Sequence, residues 1–380
     1  MSRMRQVMLT SVSVFFLFVL AVAQEEKPEA WTWGRLKAFF KPPAEFAGKM
    51  GDYRDVMTFD DGTKVKTPDD WARRRKEIRA WWDSVMGKWP EVIEKPRMRV
   101  LETVHVEDFT RYKVQIEFTK DRLAGDHYLL VPDGKGPFPA VVVVFYDGAT
   151  SAGMKGKPDT KAFGYDLTKR GFVTLCVGGS LGPRPKDLQP LSHMAYAAAN
   201  CYQLLANRPD VDASRIGIVG HSFGGKWAMF ASCLCDKFAC AVWCDPGIVW
   251  NEKDPNANYW EPWYLGFDPT LEKQRKEGIP NDDRPRTGAY KKLVEEGHDL
   301  HELHALMAPR PFLVSGGAQD RPEHWIALNR TIALNRFLGF EDRVGMTIRR
   351  GHTPTPESDA QMYAFFEHFL KPPAADTTEK

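Results

Sequence analysis

The sequence predicts an α/β fold in which a mostly parallel central sheet is flanked by helices, with an N-terminal helical appendage and an aromatic-rich lid insertion. Three observations predict it. Apolar, β-branched runs without alternation recur from Pro139 onward, as in parallel strands buried on both faces. Helical stretches separate these runs, the arrangement that right-handed crossovers require. One long interval, Pro246 to Leu300, interrupts the alternation and is crowded with aromatics.

The chain has 380 residues, 43% hydrophobic and 27% charged, with 30 Gly and 27 Pro. That composition excludes a disordered or fibrous protein. Residues 1–23 read as a signal peptide. Arg3 and Arg5 precede an apolar stretch from Val12 to Val22, and Ala21-Val22-Ala23 supplies a small-x-small cleavage pattern before Gln24. The apolar run is shorter than the roughly 20 residues a spanning helix needs. Export to the periplasm or the medium is expected, with no stable membrane association after cleavage.

Removing that segment takes two of the 52 Lys and Arg and none of the 50 Asp and Glu, leaving 50 against 50. Such a balance offers no electrostatic ground for nucleic acid as a partner. Six cysteines, four of them between Cys233 and Cys244, lack the paired knuckles of a zinc site. They are expected as buried thiols or one bridge, and no metal is expected.

Residues 24–98 form the appendage. Its convincing helix runs from about Pro68 to Met86, with Trp71, Ile78, Trp82 and Val85 at helical intervals. Residues 99–375 form the main domain. Val100–Val106, Tyr112–Phe118 and His127–Val131 alternate apolar with polar, as antiparallel strands with one wet face do. Buried strands are then expected at Pro139–Tyr146, Phe172–Val177, Ile216–Val219, Ala239–Trp243, Pro311–Val314 and Val344–Ile348, with helices at Met194–Asn207, Phe223–Cys235 and Ser358–Leu370. Ligands of such a sheet bind at the carboxyl ends of its strands. The insertion at 246–300 is placed to shape a pocket there.

Gly220-His221-Ser222-Phe223-Gly224 is a G-x-S-x-G string lying directly between an expected strand and an expected helix. This is the context of a nucleophile elbow, with Ser222 at its apex. A serine hydroxyl is a weak nucleophile and needs a base oriented by a third group. His352 follows the last expected strand and is the candidate base. Asp320, after the strand before it, completes the chain order Ser, Asp, His and is the candidate acid; Asp245, after an earlier strand, is the alternative. His221 and the trio His298, His301 and His304 are read as structural, since steps of three lack the i, i+4 pair of a helical zinc site. An oxyanion needs preorganised donors. The N–H of Phe223 is one, and the loop at Tyr146, Asp147 and Gly148 is expected to supply the second. Trp260 and Trp263, in the aromatic insertion, are candidate substrate-binding residues.

With these residues in place the chain resembles an α/β-hydrolase over roughly residues 100–370. Within that superfamily it is similar to secreted carbohydrate esterases, above all glucuronoyl esterases and acetylxylan esterase-like hydrolases. Gly220-His221-Ser222-Phe223-Gly224-Gly225-Lys226 keeps the Gly, Ser, Gly and Lys of the glucuronoyl esterase elbow G-C-S-R-x-G-K. His301-Glu302-Leu303, Ala308 to Pro311 and Gly351-His352-Thr353 are also similar to bacterial members. The resemblance implies a serine esterase acting on glucuronoyl or acetyl esters of a small molecule or polysaccharide, without a cofactor, and a sugar contact for Lys226. Phe223 stands where those enzymes have an oxyanion-assisting arginine, and His221 where they have cysteine. Their acid follows either strand, so Asp320 and Asp245 both stay open. A serine peptidase, a dienelactone-type hydrolase and a non-catalytic carbohydrate-binding protein are the other readings of the same scaffold.

Overall fold

The computed structural model describes residues 30–155 and 160–371. The expected signal peptide lies outside the described residues. From Trp31 onward the chain clusters as one compact unit.

Among the described residues nine strands form one sheet: β1 (Met98–Val106), β2 (Phe109–Thr119), β3 (Arg122–Pro132), β4 (Phe138–Val144), β5 (Val173–Val177), β6 (Val211–His221), β7 (Cys240–Cys244), β8 (Phe312–Gly316) and β9 (Val344–Ile348). Their order is β1-β2-β3-β5-β4-β6-β7-β8-β9. The pairs from β1 to β3, and β3 with β5, are antiparallel. All pairs from β5 to β9 are parallel. The alternating sequences thus sit at the antiparallel end and the continuous apolar runs in the parallel part, as their two solvent regimes demand.

The helices are α1 (Trp33–Leu36), α2 (Pro68–Met86), α3 (Gly148–Ser151), α4 (Phe163–Thr168), α5 (Pro190–Ala206), α6 (Phe223–Leu234), α7 (Gly288–Glu295), α8 (Leu300–Ala305), α9 (Trp325–Phe337) and α10 (Pro356–Leu370). Strand β4 feeds two cores. Ala140, Val142 and Val144 face one with α2, α5 and α6; Val141 and Val143 face the other with Leu36, Phe163 and Phe365.

Helix α2 begins with a capping box. The Asp70 N–H donates to the Thr67 hydroxyl at 3.1 Å and the Thr67 N–H to the Asp70 carboxylate at 3.0 Å, closing two otherwise open donors. Its Trp71, Ile78, Trp82 and Met86 enter the same core as the sheet.

The insertion after β7 is packed rather than loose. Tyr259, Trp260, Tyr264 and Leu265 are core residues, and Arg275 pairs with Glu261 at 3.1 Å with both side chains almost fully buried. All six cysteines are free and buried.

The chain reverses direction across the sheet at β4, whose successor β5 lies on one side and β6 on the other. The crevice at the carboxyl ends of β4 and β6 is therefore the topological switch point, where ligands of open α/β sheets bind.

Candidate active site

Ser222 sits in that crevice, between the end of β6 and the first turn of α6, with φ 56° and ψ −111°. A side chain rarely adopts such a backbone, which costs about 1–3 kcal/mol and persists only where its surroundings enforce it. Two glycines enforce it here. A Cβ on Gly220 would fall 2.2 Å from the Gly224 carbonyl oxygen, and one on Gly224 would fall 2.0 Å from that of Val144. The Ser222 N–H donates to the Cys244 carbonyl at 2.8 Å, tying the elbow to the end of β7.

His352 follows β9 on a loop held by Arg349. The guanidinium donates to the carbonyls of Ser315 and His352, both at 2.6 Å. The imidazole lies over the elbow, its ring centroid 4.6 Å from that of His221. Its Nδ1 is 2.6 Å from Asp245 Oδ2.

Asp245, not Asp320, therefore partners the histidine. Asp245 directly follows β7 with φ 53° and is fully buried. Its Oδ1 accepts the N–H groups of Gln319 and Asp320, at 3.0 and 2.9 Å. The Asp320 carboxylate points the other way, accepting the N–H groups of Gly247 and Ile248 at 3.0 and 2.6 Å and facing His324 Nδ1 at 3.3 Å. Chain order alone does not separate the two acids, because the loops after β7 and β8 are neighbours in the sheet. What separates them is Gly317, where a Cβ would stand 2.9 Å from Asp245 Oδ2. Its bare backbone leaves the space the carboxylate occupies.

His221 is a structural neighbour. Burial, with His352 and Arg349 adding to it, pushes its pKa down to about 2, so it stays neutral. His298, His301 and His304 are all buried. Among the described residues no group of three or more His, Cys, Asp or Glu is placed to hold a metal ion.

Phe223 is the first residue of α6, so its N–H belongs to the unsatisfied donors of a helix N-terminus. Burial raises the pKa of the Tyr146 hydroxyl above the usual phenol value, opposed by the neighbouring Ser222 side chain. The Tyr146 ring stacks on Phe223 at 4.6 Å. Asp147 is spent locally, its carboxylate accepting the Thr150 N–H at 2.8 Å to cap α3. The side chain of Tyr146 thus lies near the serine, a neighbour that strand patterning has no means of revealing.

Lys226 is buried beneath the elbow and donates to the carbonyls of Pro246 and Asn256, at 2.7 and 3.1 Å. Burial lowers its pKa to about 8, opposed by Asp320, Asp245 and Asp254. These bonds make it a clamp on the insertion rather than a free sugar ligand. Trp260 is likewise not a surface: it is 1% exposed and donates its indole N–H to Glu261 at 2.9 Å. Trp263 is 41% exposed. It ends an aromatic row that runs through Tyr264 and Phe223 to Tyr146, itself 59% exposed, with ring centroids 6.3, 6.1 and 4.6 Å apart.

The sheet, the switch point and the strained serine turn define an α/β hydrolase fold. Comparison with known proteins agrees. Residues 49–221 match the model of an abhydrolase family and residues 197–321 that of the prolyl oligopeptidase family. Among solved structures, the chain is similar to a glucuronoyl esterase from Solibacter usitatus, with TM-score 0.66 and 20% identity over 84% of this chain and 98% of that one. It is similar to a glucuronoyl esterase from Sporotrichum thermophile in complex with methyl 4-O-methyl-β-D-glucopyranuronate, with TM-score 0.54 and 18% identity over 85% and 88%. A putative acetyl xylan esterase from Bacteroides fragilis gives TM-score 0.53 and 14% identity over 83% and 82%. No curated protein matches the chain in sequence.

Proposed function

We propose that the protein is an exported serine esterase that hydrolyses glucuronoyl or acetyl esters carried by polysaccharides or their fragments. The contact that carries this reading is Asp245 to His352 at 2.6 Å, with the His352 ring against His221 of the elbow that carries Ser222. With Nδ1 bound to the carboxylate, the imidazole has Nε2 left to take the Ser222 proton. The serine oxygen attacks the ester carbonyl. The Phe223 N–H and the Tyr146 hydroxyl stabilise the resulting oxyanion. The imidazolium then passes the proton to the leaving alkoxide, and water, deprotonated by the same nitrogen, hydrolyses the acyl-enzyme. Asp245 is the orienting acid in this scheme, Asp320 supports its loop, and Trp263 offers an exposed ring to the sugar. The sugar substrate rests on likeness to the esterases named above, and export on the sequence pattern of residues 1–23.

The prolyl oligopeptidase match favours a second reading, a serine peptidase on the same machinery. A panel of acetylated xylan, methyl glucuronate, nitrophenyl acetate and a short peptide amide, tested on wild type and Ser222→Ala, separates the two. The esterase reading requires ester turnover that is lost in Ser222→Ala. Turnover of the amide alone replaces it with the peptidase, and equal turnover by both proteins removes the serine mechanism.

A further inference from the structure

A cavity of about 600 Å³ lies where residues 51–54 of the appendage, the insertion and the start of α9 meet. Its size is within the range of small-molecule sites. Ser222, His352 and Asp245 do not line it, and the ester chemistry makes no use of it.

The polar atoms that its walls leave unmatched are chiefly acceptors. Asp299 Oδ1 accepts the N–H groups of Trp250 and Leu300 at 3.1 and 2.6 Å, while its Oδ2 takes none. His324, between β8 and α9, is 8% exposed and presents Nδ1 to Asp320 Oδ1 at 3.3 Å. In the neutral ring the lone pair is then on Nε2, and no described residue meets it. On α8, His301 is 1% exposed; its Nε2 donates to the Arg54 carbonyl at 2.9 Å, and its Nδ1 has no partner. A buried ring with an unmet acceptor is costly unless a ligand or a water supplies the donor.

Charge points the same way. Asp52, Asp299 and Glu323 all line the cavity, and among the described residues none of them forms a salt bridge. Arg54 is the only cationic lining residue, and it is engaged: it donates to His298 Nε2 at 2.8 Å and stands 3.9 Å from the buried Glu302. Burial has also pushed the Asp299 pKa up to about 7, and a cation beside such a carboxyl favours its charged form. The apolar lining includes the half-buried rings of Trp250 and Tyr53, and aromatic faces attract organic cations. A metal ion does not fit, since among the described residues no three His, Cys, Asp or Glu are placed to hold one.

A primary ammonium group on a carbon frame meets each of these demands. Its N–H donors answer the carboxylate and the imidazole lone pair, its charge answers the unpaired acids, and its frame lies against the rings. We propose that this cavity is a binding site for an organic ammonium ion, with the charged nitrogen on Asp299 and His324 and the carbon frame against Trp250 and Tyr53. The site stands apart from the esterase reading and does not depend on it.

Amino sugars and simple alkylamines both carry such a group. Glucosamine, cadaverine and, as the neutral control, glucose are therefore titrated by calorimetry into wild type and two variants. Asp299→Asn removes the charge and keeps an oxygen for the amides of Trp250 and Leu300. Glu323→Lys, at an exposed position, sets a fixed ammonium group on the wall and serves if the first variant fails to fold. At least one amine should bind wild type about tenfold or more tightly than glucose does, and the amine that does so tells an amino sugar from a free alkylamine. Each substitution should abolish that preference. Amines that bind no better than glucose, or a preference kept in full by either folded variant, overturn the site. Ester turnover enters none of these measurements, so its failure would count against the esterase reading alone.

Discussion

Asp320 donates its backbone N–H to the Asp245 carboxylate at 2.9 Å. The two acids that compete for the histidine in sequence are therefore partners in one clasp. Asp245 accepts amides from the loop after β8, and Asp320 accepts amides from the loop after β7. Only Asp245 also reaches the imidazole. Replacing Asp245 by Asn turns an acceptor into an amide facing Nδ1 and imposes the wrong tautomer. A loss in kcat on the order of 10⁴ is expected, the size seen when such an acid is amidated in another serine hydrolase. Asp320→Asn keeps one acceptor for the two amides and should cost about 1–3 kcal/mol of stability with kcat within about tenfold of wild type. Kinetics and urea unfolding on both variants check this; a larger kcat loss in Asp320→Asn would reverse the assignment.

Tyr146→Phe removes the hydroxyl near Ser222 and leaves the ring stacked on Phe223. If the hydroxyl holds the oxyanion, the missing donor is felt in the transition state and not in the ground state. The expected result is a fall in kcat of about 10²–10³ with KM nearly unchanged. A rise in KM at constant kcat would instead make Tyr146 a binding residue only.

Trp260 and Trp263 are three residues apart and should behave oppositely. Trp260 is buried against Tyr290, and Trp260→Ala should cost about 3–5 kcal/mol of stability through the cavity it leaves. Trp263 is largely free to meet a ligand. Trp263→Ala should leave the urea midpoint almost unmoved and raise KM for a glycan ester severalfold more than for nitrophenyl acetate. Equal effects on both esters would remove Trp263 from the sugar site.

These contrasts show what could be read from sequence. The sheet was legible because burial on one face or two writes different patterns, so the alternating run at Tyr112–Phe118 and the continuous run at Pro139–Val144 fall on β2 and β4. The elbow was legible because Gly220 and Gly224 are forced by contacts with backbone atoms. The acid was not, since both aspartates follow parallel strands and the choice is made by Gly317 and by amides distant in sequence. The burial of Trp260 was not legible, because composition marks an aromatic insertion but does not say which of its rings it keeps for its own core, whereas Lys226, on α6, is drawn inward by the Pro246 and Asn256 carbonyls.

Asp299 gives the fold a pH dependence opposite to that of a salt-bridged acid. It is half-buried at the end of the insertion, where its carboxylate accepts the N–H groups of Trp250 and Leu300 at 3.1 and 2.6 Å. Burial outweighs those bonds and pushes its pKa up to about 7. Between about pH 4 and pH 7 the folded chain then holds a proton that the unfolded chain has lost, so stability falls as pH rises through that window. Below it both states are protonated and the penalty vanishes; above it both are ionised and the penalty is complete, at most about 4 kcal/mol for a difference of this size. Asn at this position is always neutral and retains an oxygen for the two amides. Urea unfolding at intervals from pH 4 to pH 8 should show wild type losing stability relative to Asp299→Asn as pH rises, with the difference levelling off above pH 7. Parallel curves for the two proteins would mean that Asp299 is ionised throughout, and that the amides of Trp250 and Leu300 outweigh its burial.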